Sequence, residues 1–319
     1  MSNACPMGGA IELRAHQQAD SDFVYPEGAR VRWLSSGRAA LECILSSFPT
    51  RPTRVWLPEY ICATVEEPLR RLKLSIQRYG VDKNLHPLLP QGAAPTDVLI
   101  LVNYFGLTGR AVEQAARQAP CPIVVDATTA FYCPPLPGVP TFYSPRKFTG
   151  LADGGIAIAP FALKAEFPPD DGSDALTEQL LHSAHPDTVQ RAEDALSAPP
   201  KLMGARTREL MLATPWQQYA QRRKENYATL HRELRDINRL ELPEAPEHAP
   251  MCYPLVCGIP GLRDSLIEAG IRLPLYWPEV IERTNALQTE NRLARTLLPL
   301  PLDQRYSQAD MERLLSLII

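Results

Sequence analysis

From residue 30 onward the chain alternates short apolar runs with amphipathic stretches, and this alternation limits its possible folds more than any single residue does. RVRWL (30–34) leads into SGRAALECILSSF, where Ala40, Leu41, Ile44, Leu45 and Phe48 recur at helical spacing. RVWLP (54–58) reads as a strand and precedes a helix over residues 62–72. KLSIQRY (73–79) and DVLILVNYFG (97–106) read as strands again. AVEQAARQA is helical, and PIVVD (122–126) and GGIAIA (154–159) are further buried strands. Strands rich in Val and Ile, each followed by a helix, predict an α/β fold: a mostly parallel sheet with helices on both faces.

The pattern changes after residue 170. Residues 174–196 and 206–236 read as helices, the second long and charged. From 251 a smaller unit follows: MCYPLVC as a strand, GLRDSLIEAG as a helix stopped at Gly270, IRLPLYW as a strand, and a last helix over 307–318 that Ser307 could cap. The expected division is a large domain over 1–240, with 1–30 as an N-terminal arm, and a small C-terminal α+β domain over 241–319. Proline-rich stretches at 134–140, 167–174, 197–200 and 242–250 mark loops.

Composition narrows the function classes. A chain of 319 residues can bury a large core, and 22% charged residues is ordinary for a globular protein. A net charge of −3 gives no reason to expect nucleic acid or an anionic membrane as partner. No apolar run reaches membrane-spanning length, and the first residues lack the layout of a signal peptide, so the expected location is the cytoplasm. The seven cysteines are odd in number and dispersed, which fits reduced thiols better than a disulfide framework. His182 and His185 lack a third ligand in view, so no metal site is expected.

The chemistry centres on Lys147, in the segment TFYSPRKFTGLADGGI (141–156). Phe142, Tyr143, Phe148 and Leu151 would desolvate its amine, lower its pKa and leave it nucleophilic, as Schiff-base chemistry with an aldehyde requires. Ser36-Gly37-Arg38 lies between a strand and a helix start, a ready anion site; it is also a plain Ser N-cap followed by Gly. Asp126 ends PIVVD at the sheet edge where α/β proteins bind ligands, or else caps the segment that follows. Asn103 follows DVLILV to the same edge, where it could bind a ligand or make a turn. Ser144, three residues before Lys147, could bind a phosphate or cap a turn.

This order of pieces resembles the DegT/DnrJ/EryC1/StrS family of fold type I aminotransferases, which depend on pyridoxal 5'-phosphate (PLP) and mostly make amino sugars. The matching segments are SSGRAALECIL, VWLPEYICATVEEPL, LILVNYFG, IVVDATTAFY, SPRKFTGLADGGIAI and RRKENYATLHREL, then IEAGIRLPLYWP and LLPLPLDQRYSQADMERLL. They cover most of the chain from about residue 30 and are closest to a shorter branch with S-x-R-K and D-G-G forms. The resemblance implies Lys147 as Schiff-base lysine and general acid/base, and Asp126 as partner of the pyridinium nitrogen. Ser36, Gly37, Arg38 and Ser144 would hold the phosphate. It also implies a small-molecule amino donor such as glutamate, a keto acceptor, and a homodimer with sites at the interface.

The departures fall on substrate and subunit contacts. Cys62 stands where the family has an aromatic residue stacked on the PLP ring, with Tyr60 two residues away as a substitute. Thr129 stands where members carry Gln or His, and Asp153-Gly154-Gly155 replaces Glu-Gly-Gly. The Asn-rich segment that reaches a neighbouring subunit has no counterpart around 200–214. Trp277 and Arg305 could line the site, though a core and a surface role respectively are the plainer expectations. Two alternatives stay open: a dehydratase or other PLP enzyme, and a non-catalytic regulatory relative.

Overall fold

The computed structural model describes residues 6–16, 29–183, 185–196 and 199–319. After β1 (Met7–Gly8), a seven-stranded sheet carries the molecule: β2 (Arg30–Leu34), β3 (Arg54–Pro58), β4 (Ser75–Tyr79), β5 (Val98–Val102), β6 (Ile123–Asp126), β7 (Thr141–Tyr143) and β8 (Gly155–Ala159). Their spatial order is β2-β8-β7-β6-β5-β3-β4. Five neighbours, β4, β3, β5, β6 and β7, run parallel; β8 runs against both β7 and β2. β2 therefore points the same way as the parallel five, and six strand ends meet at one edge.

Burial on both faces follows the two-residue period of a strand. Val98, Ile100 and Val102 join one apolar cluster, with Leu41, Ile44 and Leu45 of α1 (Gly37–Ser46) and Leu69 of α2 (Glu66–Arg71). Leu99 and Leu101 join the opposite cluster, with Val112 and Ala115 of α3 (Gly109–Gln118). Val124 and Phe142 face the first cluster, Val125 and Tyr143 the second. The sheet is thus covered on both sides, as the Val- and Ile-rich runs predict.

Beyond the short α4 (Arg146–Thr149), two predicted helices are each divided by a proline. Pro186 opens α6 (Pro186–Ala195) after α5 (Ser173–His182), and Pro215 separates α7 (Ala205–Ala213) from α8 (Trp216–Leu234). Proline has no N–H to donate and clashes with the preceding turn, so neither helix continues through it.

The C-terminal part holds β9 (Tyr253–Leu255), α9 (Leu262–Glu268), β10 (Ile271–Arg272), α10 (Pro278–Arg283), α11 (Thr289–Thr296), β11 (Leu298–Leu300) and α12 (Gln308–Leu315). The strand expected over IRLPLYW is confined to Ile271–Arg272, because Pro274 interrupts it and Pro278 begins a helix. Ser307 caps α12 in a capping box with Asp310. A third apolar cluster unites these elements with Tyr227, Leu230 and Leu234 of α8, and with Met7, whose strand pairs with β10. Val280, Leu293 and Ala294 of α10 and α11 pack into the first sheet cluster instead. Among the described residues no helix is long and apolar enough to cross a membrane.

Candidate active site

A cavity of about 920 Å³ opens at the sheet edge where β2, β5, β6 and β7 end. Its wall includes Ser36, Gly37 and Arg38 after β2, Asp126 at the end of β6, Ser144 after β7, and Lys147 on α4. Cys62 and Thr129 line it as well. Eight of the ten residues expected from sequence therefore share one cavity.

Lys147 is half-buried, with its Nζ donating to Thr128 Oγ1 at 3.1 Å. Burial lowers the pKa of its amine below the ordinary lysine value, and the nearby Asp126 carboxylate partly offsets that. Asp126 is buried and its pKa is raised, first by desolvation; Lys147 and the Thr128 N–H, which donates to Asp126 Oδ1 at 2.8 Å, pull it back. Thr128 was not singled out by sequence reading. Its signal is the Asp-x-Thr spacing after a buried strand, which lets the carboxylate accept the N–H two residues on.

Ser36 caps α1, its Oγ accepting the Ala39 N–H at 3.1 Å while its carbonyl accepts the Ala40 N–H at 2.9 Å. The cap and anion-site readings are therefore compatible. The first N–H groups of α1, on Gly37 and Arg38, have no carbonyl within the helix to bond. A Cβ on Gly37 would come 3.0 Å from Thr128 Cγ2 and 3.6 Å from Ser144 Cβ, so this glycine leaves a small space between the helix start, Thr128 and Ser144. Hydroxyl and N–H donors around such a space, with an amine and a carboxylate beyond it, are the donor set that a phosphate on a pyridine aldehyde requires. The residues present fit PLP.

The Arg38 guanidinium lines the cavity while its Nη1 is engaged by Glu67, at 2.7 and 2.6 Å from its two oxygens. Two of the expected residues are placed elsewhere. Tyr60 does not line the cavity. It is fully buried, and its hydroxyl donates to the Tyr276 carbonyl at 2.6 Å, which turns the ring away from any ligand. Asn103 is also off the wall; its Oδ1 accepts the Thr108 N–H at 3.3 Å in the turn after β5. The Thr129 hydroxyl bridges that same turn, accepting the Phe105 N–H and donating to the Asn103 carbonyl, both at 3.2 Å.

Trp277, expected in the core, lines the cavity beside Cys62. Its segment is clipped to residues 59–63 by the Tyr60 bond, by the Ala63 N–H donating to Glu279 Oε1 at 2.6 Å, and by Arg283 donating to the Ile61 carbonyl at 2.6 Å. Arg305 pairs with Asp303 at 2.8 Å and is not on the wall. Sequence reading also passed over Arg223 of α8, which lines the cavity. Among the described residues no group of His, Cys, Asp and Glu is arranged to hold a metal ion.

The chain matches no family profile and no curated protein. Solved structures do match. Sugar aminotransferase CalS13 from Micromonospora echinospora is 20% identical, with 90% of this chain and 86% of that one covered and a TM-score of 0.63. A DegT DnrJ EryC1 StrS aminotransferase from Brucella abortus is 16% identical, covering 91% and 85%, with a TM-score of 0.60. The E. coli GDP-4-keto-6-deoxy-D-mannose-3-dehydratase, seen with bound hydrated PLP, is 12% identical over 92% and 88%, with a TM-score of 0.63. The chain therefore carries the fold of the fold type I enzymes to which the sugar aminotransferases of the DegT/DnrJ/EryC1/StrS family belong.

Proposed function

We propose that the protein is a PLP-dependent aminotransferase of the DegT/DnrJ/EryC1/StrS family, moving an amino group from a donor such as glutamate to a keto substrate, with keto sugars among the candidates. The observation that carries this reading is the placement of Lys147 and Asp126, two desolvated groups of opposite charge, on one cavity wall at the strand ends. When bound, PLP supplies an electron sink for the carbanion at the substrate carbon.

The chain's own residues do the rest. Lys147 would hold the cofactor, and its amine, whose pKa burial lowers, would move a proton at the substrate carbon. The Asp126 carboxylate would pair with the ring nitrogen, and the N–H groups of Gly37 and Arg38, with the Ser36 and Ser144 hydroxyls, would hold the phosphate. The Thr128 hydroxyl, already bonded to the Lys147 amine, orients it.

Dehydratases share the fold at equal TM-score, so the reaction type rests on chemistry. A lysine at 147 can return nitrogen-bearing substrates and shuttle their protons, which favours transamination. The test is a single-turnover reaction of PLP-loaded protein with L-glutamate. The reading predicts loss of the visible absorbance of bound PLP, appearance of the amine form and stoichiometric 2-oxoglutarate. Unchanged absorbance with every amino donor would remove the aminotransferase.

A further inference from the structure

The helix that carries Lys147 spans only Arg146–Thr149, and a single turn of helix is not stable by itself in water. Its own bonds are few. The N–H groups of Lys147, Phe148 and Gly150 donate to the carbonyls of Ser144, Pro145 and Arg146, at 3.2, 2.9 and 3.0 Å. The Phe148 carbonyl is bonded from far along the chain instead, by Gln304 Nε2 at 2.8 Å. Phe148 is fully buried, so losing that donor would leave a backbone carbonyl unpaired away from water.

Gln304 is itself held from α8. Its Oε1 accepts the Arg223 Nε–H at 3.0 Å, and Arg223 is anchored through Nη1 to the carbonyls of Pro250 at 3.2 Å and Met251 at 3.0 Å. A guanidinium can only donate, so it fixes which end of the Gln304 amide faces the Phe148 carbonyl. Three residues along α8, Asn226 Nδ2 donates to the carbonyls of Leu302 at 3.1 Å and Tyr306 at 3.0 Å, which secures the turn that bears Gln304. Arg223 and Asn226 are both buried and share one face of the helix.

The same turn holds the N-terminal segment. The Tyr306 hydroxyl accepts the Gly8 N–H at 2.6 Å, and Arg305 Nη1 donates to the Ala10 carbonyl at 2.9 Å. The next residue, Ile11, lies against the end of α4, where a Cβ on Gly150 would stand 1.9 Å from its carbonyl oxygen. The Lys147 turn is thus fixed at Phe148 and at Gly150, in both cases by way of residues 304–306.

We infer that Gln304 is a positioning residue: through the Phe148 carbonyl it sets where Lys147 stands, and it ties that setting to α8. The inference rests on Lys147 being the residue that takes up PLP. Gln304 is not on the cavity wall, so it acts through α4 and not by touching a ligand. A displacement of about 1 Å in a reacting group can cost on the order of a hundredfold in rate, which gives one remote hydrogen bond its leverage.

The test compares wild type with Gln304→Glu and Gln304→Met. Glutamate keeps an acceptor for Arg223 but has no N–H for the Phe148 carbonyl; methionine, of similar length, offers neither. Backbone hydrogen exchange over residues 144–151 is measured without PLP. The rate at which added PLP gains its visible absorbance is then followed, with borohydride fixing it to Lys147. Gln304→Glu should stay folded, exchange faster over 144–151 and take up PLP roughly tenfold to a hundredfold more slowly; Gln304→Met should do the same. In wild type, PLP fixed to Lys147 should slow exchange over 302–306 as well as 144–151, because coupling between two sites is reciprocal.

Uptake at the wild-type rate in Gln304→Glu overturns the inference, and so does slow uptake without faster exchange over 144–151. If neither variant folds, wild type decides: loading that slows exchange over 144–151 but leaves 302–306 unchanged overturns it. A wild type that takes up no PLP removes the parent reading together with this one. PLP fixed to Lys147 at equal rates in all three proteins removes this one alone.

Discussion

At Lys147 and Asp126 the fold brings together two groups that each resist ionisation when buried and each favour it in the other. Mutually opposed shifts of this kind cluster at functional sites. Asp153, which opens the Asp-Gly-Gly segment, shows the same physics without a cationic partner. Its Oδ2 accepts the Gly204 N–H at 2.9 Å, and burial pushes its pKa up to about 6 from 3.8. The folded state thus holds this proton more tightly than the unfolded chain does. The resulting stability is fully present below about pH 4 and is lost as pH rises through about 6. Asp153→Asn keeps an acceptor for Gly204 but cannot ionise. It should gain on wild type as pH rises from 4 to 7, by up to about 3 kcal/mol. Urea unfolding of both proteins at four pH values checks this; parallel stability curves would contradict it.

At the scale of elements, the site depends on how closely β2, α1 and β8 approach. A Cβ at Gly155 would stand 2.0 Å from the Ser36 carbonyl oxygen and 2.7 Å from the Gly37 N, so β8 can pass the start of α1 only where it has no side chain. Gly155→Ala should cost about 1–3 kcal/mol and weaken PLP binding by displacing the N–H groups of α1. Gly172→Ala, where nothing lies within 4 Å, should leave both unchanged. Thermal unfolding and PLP titration of the two variants decide this, and equal behaviour would contradict it. The strands of the seven-stranded sheet and α1 were legible in the sequence because local periodicity, and for α1 a local cap, fixes them; β1 and β11 were not. The divisions at Pro186 and Pro215 were legible in principle, since proline alone sets them. The helices α10 and α11 were not: their apolar residues Val280, Leu293 and Ala294 are sparse and make sense only against the distant sheet cluster.

Over the whole molecule, the expected residues that the structure brings to the cavity are placed by their own strand ends: Ser36, Asp126 and Ser144 reach it because β2, β6 and β7 stop there. Placements that depend on partners far along the chain were less legible: Tyr60 is turned by Tyr276, and Trp277 is carried to the wall by clips to residues 59–63. Arg223 went unseen because a charged helix gives no sign of which cation will be buried. The central claim is that Lys147 carries PLP in this cavity. It is tested most directly by adding PLP to the purified protein, removing the excess and reading the visible spectrum of wild type and Lys147→Ala. The account predicts stoichiometric yellow absorbance in wild type, fixed to Lys147 on borohydride reduction, and none in the variant. A wild type that stays colourless, or a variant that binds and colours as wild type does, would contradict it.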